Sequence, residues 1–127
     1  ENMNPAYLMT SAAIPKSQRI SGIVIDAREH AVDPSMSPEV IDMQGNLVYG
    51  SISYSRAKSV NRGAVGYAYS MDDRNVSQRV GSNPLFIEAV GSLDDDVYIT
   101  SMDADKVRLA EKSFGVLSNC RVMLLLQ

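Results

Sequence analysis

Two neighbouring segments constrain the fold of this chain more than any other feature. Residues 19–28 read Arg-Ile-Ser-Gly-Ile-Val-Ile-Asp-Ala-Arg, with three apolar residues in succession at 23–25. Side chains alternate along a strand, so this run is apolar on both faces and predicts a strand inside a sheet that is covered on both sides. The following segment predicts a hairpin of strands 39–43 and 47–54, turned at Gly45 and Asn46, which tolerate positive φ.

The rest of the chain predicts further strands and one clear helix. Alternating or continuous apolar runs predict strands at 63–69, 85–90, 96–100 and 120–126. Segment 71–80 is polar and suits a loop or a short helix. Residues 102–114 predict a helix because Val107, Ala110 and Phe114 are three and four positions apart and share one face. Ser101 is the expected N-cap, and Gly115 the expected residue after the last turn.

This order of elements predicts one α+β domain over residues 18–127. A hairpin followed by separate strands, with the main C-terminal helix just before the last strand, favours a mostly antiparallel sheet. The chain has 127 residues, with 45% hydrophobic and 21% charged, which is enough to bury a continuous core.

Residues 1–17 show neither helical nor strand periodicity. Pro5 and Pro15 interrupt the segment, yet it carries apolar side chains that a solvated tail rarely has. We expect an extended N-terminal arm that docks on its own domain or on a neighbouring subunit. Its candidate partner-binding residues are Tyr7, Leu8, Met9 and Ile14.

Composition excludes several classes of function. The net charge is −3, which gives the chain no overall attraction for nucleic acid or anionic lipid. The longest apolar run, 122–126, is far shorter than a membrane span. No charged segment followed by an apolar one opens the sequence, so either the protein is cytosolic or its signal segment lies outside this sequence. The single cysteine, Cys120, allows no internal disulfide and no cysteine-based zinc site, and a buried thiol is expected there.

No catalytic, cofactor or metal site is expected. His30 is the only histidine, and a hydrolase using it with Asp26 would need a nucleophile motif, Gly-x-Ser-x-Gly, that the sequence lacks. Residues 94–96 are three aspartates, but without the spacing of a calcium loop they suit a solvated turn. The glycines form no phosphate-binding motif.

One segment is basic. Arg56, Lys58 and Arg62 lie between Tyr54 and Tyr67 in a stretch that suits a loop or a short helix. An ordinary solvated loop explains them, and an anionic glycan or peptide ligand is the alternative. We expect no nucleic acid partner, since three charges without a repeated aromatic platform are a weak signal.

Four pieces of the sequence resemble a domain of Gram-negative envelope proteins, of the small outer-membrane lipoprotein and flagellar assembly protein T type. The pieces are Gly-Ile-Val-Ile-Asp-Ala-Arg at 22–28, Ser-Pro-Glu-Val-Ile-Asp-Met-Gln-Gly-Asn-Leu-Val-Tyr at 37–49, Gly-Ser-Asn-Pro-Leu-Phe-Ile-Glu-Ala-Val-Gly at 81–91 and Leu-Ser-Asn-Cys-Arg-Val-Met-Leu-Leu-Leu at 117–126. They follow the family order over about residues 18–127. The chain departs from the pattern at Glu29 and His30, where the family has a small glycine.

The resemblance implies a non-enzymatic structural or assembly protein of the periplasm or outer membrane. It would self-associate or dock to other envelope proteins, and a flagellar or secretion machine is one candidate. Any membrane attachment would come from an anchor outside this chain. The alternative function is a small recognition module that binds an anionic glycan or peptide through residues 56–62.

Overall fold

A computed structural model describes residues 14–127 of the chain, and they form an α+β domain, as predicted. The strands are β1 (Gly22–Asp26), β2 (Val40–Asp42), β3 (Leu47–Tyr49), β4 (Gly66–Ala68), β5 (Pro84–Glu88), β6 (Gly91–Leu93), β7 (Asp96–Ile99) and β8 (Val122–Leu125). The α-helices are α1 (Arg56–Arg62), α2 (Arg74–Val80) and α3 (Ser101–Phe114), and Lys16–Gln18 and Ser51–Ser53 are short 3₁₀ helices.

The parallel sheet has the strand order β4-β8-β1-β5. All three of its strand pairings are parallel. Strand β1 lies between β5 and β8, and its residues Ile23, Val24 and Ile25 are buried. The prediction of an interior strand covered on both faces is therefore confirmed for β1.

The mixed sheet has the order β3-β2-β7-β6. The predicted hairpin is present: β2 and β3 pair antiparallel, although both strands are shorter than predicted. Strands β6 and β7 form a second antiparallel pair, and β2 joins β7 in a parallel pairing. Asp94 and Asp95 form the turn of this second hairpin, as predicted, whereas strand β6 was not predicted and Asp96 begins β7.

The prediction of a mostly antiparallel sheet is not confirmed. Within residues 14–127, four of the six strand pairings are parallel. Strand β1 pairs with β5 and β8, which follow it by about 60 and 100 residues, and not with the next strand in sequence. Strands that are adjacent in the sequence can indicate hairpins. Parallel pairing instead requires long crossover connections, which leave no local pattern in the sequence.

Helices cover the parallel sheet. Val76 and Val80 of α2 pack with Val24, Met123 and other residues on one face of the sheet. On the other face, the main core joins β1 and β8 to the mixed sheet and to α3, whose inward residues are Ala104, Val107 and Ala110. Burial on both faces is the usual setting of parallel strands and explains their continuous apolar runs.

The predicted C-terminal helix is present as α3. Its N-cap is Thr100, whose Oγ1 accepts a hydrogen bond from the backbone N–H of Asp103 at 3.1 Å, so the expected cap at Ser101 is wrong by one residue. Gly115 ends the helix in the left-handed conformation with φ 66°, as its position predicted.

Most of the predicted N-terminal arm lies outside the described residues. The predicted partner-binding residues Tyr7, Leu8 and Met9 fall in residues 1–13. Ile14 is half-buried, and its backbone N–H donates to Oγ of Ser113 at 2.8 Å, so this end of the described chain lies against α3.

Candidate functional site: a basic cleft at the edge of the parallel sheet

A cleft of about 380 Å³ lies beside β4, at one edge of the parallel sheet. Its wall comes from the C-terminal end of α1, from β4 and from α2. The lining residues are Arg62, Gly66, Tyr67, Asn75, Gln78, Arg79 and Met123. Two arginines and two amides make this a polar, positively charged surface. We call it the basic cleft.

Arg79 is the central side chain of the basic cleft. Its Nη1 donates to the carbonyl oxygens of Gly63 at 3.2 Å and Cys120 at 2.9 Å, and its Nη2 donates to the carbonyl of Arg62. The carbonyls of Arg62 and Gly63 belong to the end of α1, where backbone acceptors lack helical partners and the helix dipole is negative. The guanidinium therefore fixes the end of α1 against the loop before β8.

These bonds leave part of the Arg79 guanidinium unused. An arginine has five N–H donors, and three of those of Arg79 are occupied. Its Nε–H and one N–H of Nη2 have no acceptor among residues 14–127. They are available to a ligand in the cleft.

Among the residues that the structure describes, no carboxylate pairs with the positive charges in the cleft. Within residues 14–127, no carboxylate lies within 4.0 Å of the guanidinium of Arg62 or Arg79. Burial lowers the pKa of Arg79, and the nearby positive charge of Arg62 lowers it further. The two positive guanidinium groups repel each other, so each raises the electrostatic cost of the other. A bound anion would remove that cost.

Tyr67 also lines the cleft. Its hydroxyl donates to the carbonyl of Ser35 at 2.7 Å and accepts from the N–H of Ser35 at 3.0 Å. Burial raises the pKa of this hydroxyl. The phenol is thus committed to the loop before β2, and the polar groups that Tyr67 can offer a ligand are those of its backbone.

The structure separates the three predicted basic residues. Arg62 lines the cleft. Lys58 instead donates from Nζ to Oδ1 of Asn119, and Arg56 lies exposed at the first turn of α1. No residue of α1 is buried. The helix is held by Ser55, whose Oγ accepts from the N–H of Lys58 at 3.2 Å, and by the Arg79 contacts at its other end.

Arg79 was missed by the sequence reasoning. One signal was present: Arg79 follows Val76 by three positions and precedes Val80, so a helix over this segment turns it towards the buried side. A cation near the inward face of an amphipathic helix is uncommon and indicates a specific partner.

His30 and Asp95, two other candidate groups, do not line the basic cleft. His30 lies in the loop after β1, with Nε2 3.1 Å from the carbonyl oxygen of Ala89. Asp95 accepts from Oγ of Ser35 at 2.7 Å, which fixes the loop before β2 to the β6–β7 turn. In the part of the chain that the structure describes, no three His, Cys, Asp or Glu residues are placed to hold a metal ion.

A second, apolar cleft of about 390 Å³ lies beside α1. Met36, Tyr54 and Val60 line it. Met36 is 91% exposed and Val60 is 72% exposed, so large apolar side chains face solvent here. We call this the apolar cleft.

Comparison with known proteins identifies a family. The family described as Treponema pallidum Tp0624, second domain, matches residues 22–127, which include every strand and α-helix above. No curated protein matches the chain. None of the helices in residues 14–127 is long and apolar enough to cross a membrane. The resemblance to outer-membrane lipoproteins and flagellar assembly protein T is not part of this match and stays a prediction. The match spans most of the sequence, and the chain belongs to the family of the second domain of Tp0624 from Treponema pallidum.

Proposed function

We propose that this chain is a non-enzymatic interaction domain that binds an anionic partner through the basic cleft. One observation carries the proposal: Arg62 and Arg79 line the same cleft, and neither pairs with a carboxylate among residues 14–127. The planar guanidinium group binds carboxylates through parallel hydrogen bonds, which suits an acidic ligand.

A structural role accounts for only part of this arrangement. The three carbonyls that Arg79 contacts explain why its side chain lies at the end of α1. They do not explain why a second arginine, Arg62, shares the cleft, since like charges repel and its side chain makes no ion pair within the described residues. An anionic partner accounts for both.

We also propose that the domain works in the envelope of a Gram-negative bacterium, in the periplasm or at the outer membrane. The support is the order of the sequence motifs that resemble small outer-membrane lipoproteins and flagellar assembly protein T. In that setting, the anionic partner would be another envelope protein or a glycan, and a flagellar or secretion machine remains one candidate.

The test is binding of two acidic probes, a hexaglutamate peptide and polygalacturonate, measured by calorimetry at low salt. Arg62→Ala should weaken binding of at least one probe about 10-fold or more, because a hydrogen bond to a charged group contributes about 1.5–3 kcal/mol. Arg56→Ala is the matched control, since Arg56 is an exposed arginine of the same helix outside the cleft. Absence of binding to both probes, or equal effects of the two substitutions, would refute the proposal.

Self-association is a second candidate function, favoured by the apolar cleft. Met36 and Val60 expose apolar area of the kind that is buried at interfaces between copies. The N-terminal arm, with Tyr7, Leu8 and Met9, is a further candidate contact. Light scattering on the full chain, on a deletion of 1–17 and on Val60→Glu tests this. An oligomer that either change converts to a monomer supports it, and a monomer in all three proteins removes it.

A further inference from the structure

The open edge of β4 presents main-chain groups to the basic cleft. Among residues 14–127, β4 is the outer strand of the parallel sheet and pairs with β8 alone. The N–H of Leu126 donates to the carbonyl of Ala68 at 2.9 Å, so Ala68 directs its main-chain groups towards β8. Successive residues of a strand direct these groups to opposite edges, and the N–H and C=O of Tyr67 therefore point to the open edge.

The direction of the side chains along β4 also determines where a side chain on an added strand would lie. Ala68 packs with Val76 and Val80 of α2, so it faces that helix, and Gly66, two residues earlier, faces the same way. A Cβ atom on Gly66 would lie 2.6 Å from Nε of Arg79. A residue paired with Gly66 on an added strand shares this face, which brings its side chain towards Arg79.

The groups around a peptide residue paired with Gly66 favour an acidic side chain there. The Nε–H and one Nη2 N–H of Arg79 are free among residues 14–127, and Arg62 adds a second guanidinium at the same cleft. Paired strands lie about 4.8 Å apart, a gap that an Asp or Glu side chain can span. Asn75 and Gln78 of α2 line the cleft farther along the same wall.

We infer that the ligand of the basic cleft is an extended peptide that adds to the open edge of β4 and places a carboxylate, opposite Gly66, on Arg79 and Arg62. Main-chain hydrogen bonds to Tyr67 contribute affinity that does not depend on the sequence of the peptide. The two arginines give the preference for an acidic residue. This inference rests on the proposed function, since it names the ligand class of the same cleft.

A random nine-residue peptide library displayed on phage is the probe, selected against the full chain. Selected peptides are expected to carry Asp or Glu at one fixed position within an extended, β-branched context. Replacing that acid by its amide should weaken binding at least 10-fold, and Arg62→Ala should reduce this difference between acid and amide. Arg56→Ala, the matched control, should keep the difference.

Hydrogen exchange measured by NMR tests the strand. Bound peptide should slow exchange of the Tyr67 amide, and N-methylation of the peptide next to the acidic residue should abolish binding. Selection of peptides without a fixed acid, or binding without protection of Tyr67, overturns the inference. If polygalacturonate binds through Arg62 while no acidic peptide is selected, strand addition is wrong and anion recognition stands. If neither ligand binds, both fail.

Discussion

Gly66 and Arg79 are in such close contact that a Cβ atom on Gly66 would lie 2.6 Å from Nε of Arg79. Real side chains do not approach this closely, so glycine at position 66 is what lets the guanidinium lie against β4. From there Arg79 reaches the carbonyls at the end of α1 and the carbonyl of Cys120. The absence of a side chain at Gly66 thus allows Arg79 to link β4, α1 and the loop before β8.

Gly66→Ala is therefore expected to displace Arg79. The substitution should lower the free energy of unfolding by about 1–3 kcal/mol through overpacking, and it should weaken binding of acidic probes. Urea denaturation measures the first effect. Gly91→Ala is the matched control in another strand, because a Cβ at Gly91 would meet nothing within 4 Å. Equal stability of the two variants would contradict this account of Gly66.

Tyr49→Phe should destabilise the domain by about 1–3 kcal/mol. Tyr49 is buried, and its hydroxyl donates to the carbonyl of Ala64 at 2.5 Å, so its removal leaves a buried acceptor unpaired. Thermal and urea unfolding measure the loss. Tyr69→Phe is the control, since Tyr69 is 71% exposed, and it should change stability by less than about 0.5 kcal/mol.

Because Tyr49 is buried, we also expect the domain to lose stability at alkaline pH. Burial raises the pKa of Tyr49 above its ordinary value of 10.0, so the folded protein keeps a proton that the unfolded chain releases. The free energy of unfolding should therefore fall as pH rises above about 10. The free energy of unfolding of Tyr49→Phe should fall less steeply with pH. An unchanged slope would show that other groups cause the fall.

Thr100→Ala should lower the free energy of unfolding by about 1 kcal/mol, the usual contribution of a helix N-cap. The bond it removes joins Oγ1 of Thr100 to the N–H of Asp103. Ser101→Ala is the matched control because the sequence pattern predicted the N-cap at Ser101. If Ser101→Ala proved the more costly change by urea denaturation, the helix would start one residue later than the structure has it.

Asp42→Asn should remove part of the acid sensitivity of the fold. Oδ1 of Asp42 accepts the N–H groups of Asn46 and Gln44, both at 2.9 Å, and Oδ2 lies 3.2 Å from Nη2 of Arg108. The backbone N–H of Asn46 is the largest cause that lowers the pKa of this carboxyl below 3.8. The stabilisation is thus present above about pH 4 and is lost as pH falls through the folded pKa.

The measurement is urea unfolding of wild type and Asp42→Asn between pH 7 and pH 2. Wild type should be more stable at pH 7, and the gap should narrow below pH 4. Asp72→Asn, at an exposed aspartate, is the control variant. A gap that stays constant with pH would rule out Asp42 as a source of acid sensitivity.

Sequence periodicity predicted individual elements well where the signal was local. The buried run of β1, the hairpin of β2 and β3, and helix α3 with Gly115 at its end all follow from neighbouring residues. The partners of the parallel strands did not follow. Residues 120–126 read as an apolar strand, but nothing in them indicates that β8 lies between β1 and β4.

The candidate site was predicted only in part for the same reason. The basic segment 56–62 was identified, and Arg62 does line the cleft. Its partner Arg79 is 17 residues away in another helix, and the two meet only because β4 and α2 pack together. Arg56 and Lys58 looked equivalent to Arg62 in sequence, yet the direction of α1 separates them from the cleft.

The sequence by itself determined where β1, the β2–β3 hairpin and α3 form, because backbone geometry and apolar spacing act over a few residues. It also limited the chemistry, since one histidine and one cysteine supply few reactive groups. Only the tertiary structure decided that the strands pair in parallel, that Gly66 admits Arg79, and that two arginines share a cleft at an open sheet edge. Those relationships depend on crossover connections between residues far apart in the chain, and a local pattern carries no information about them.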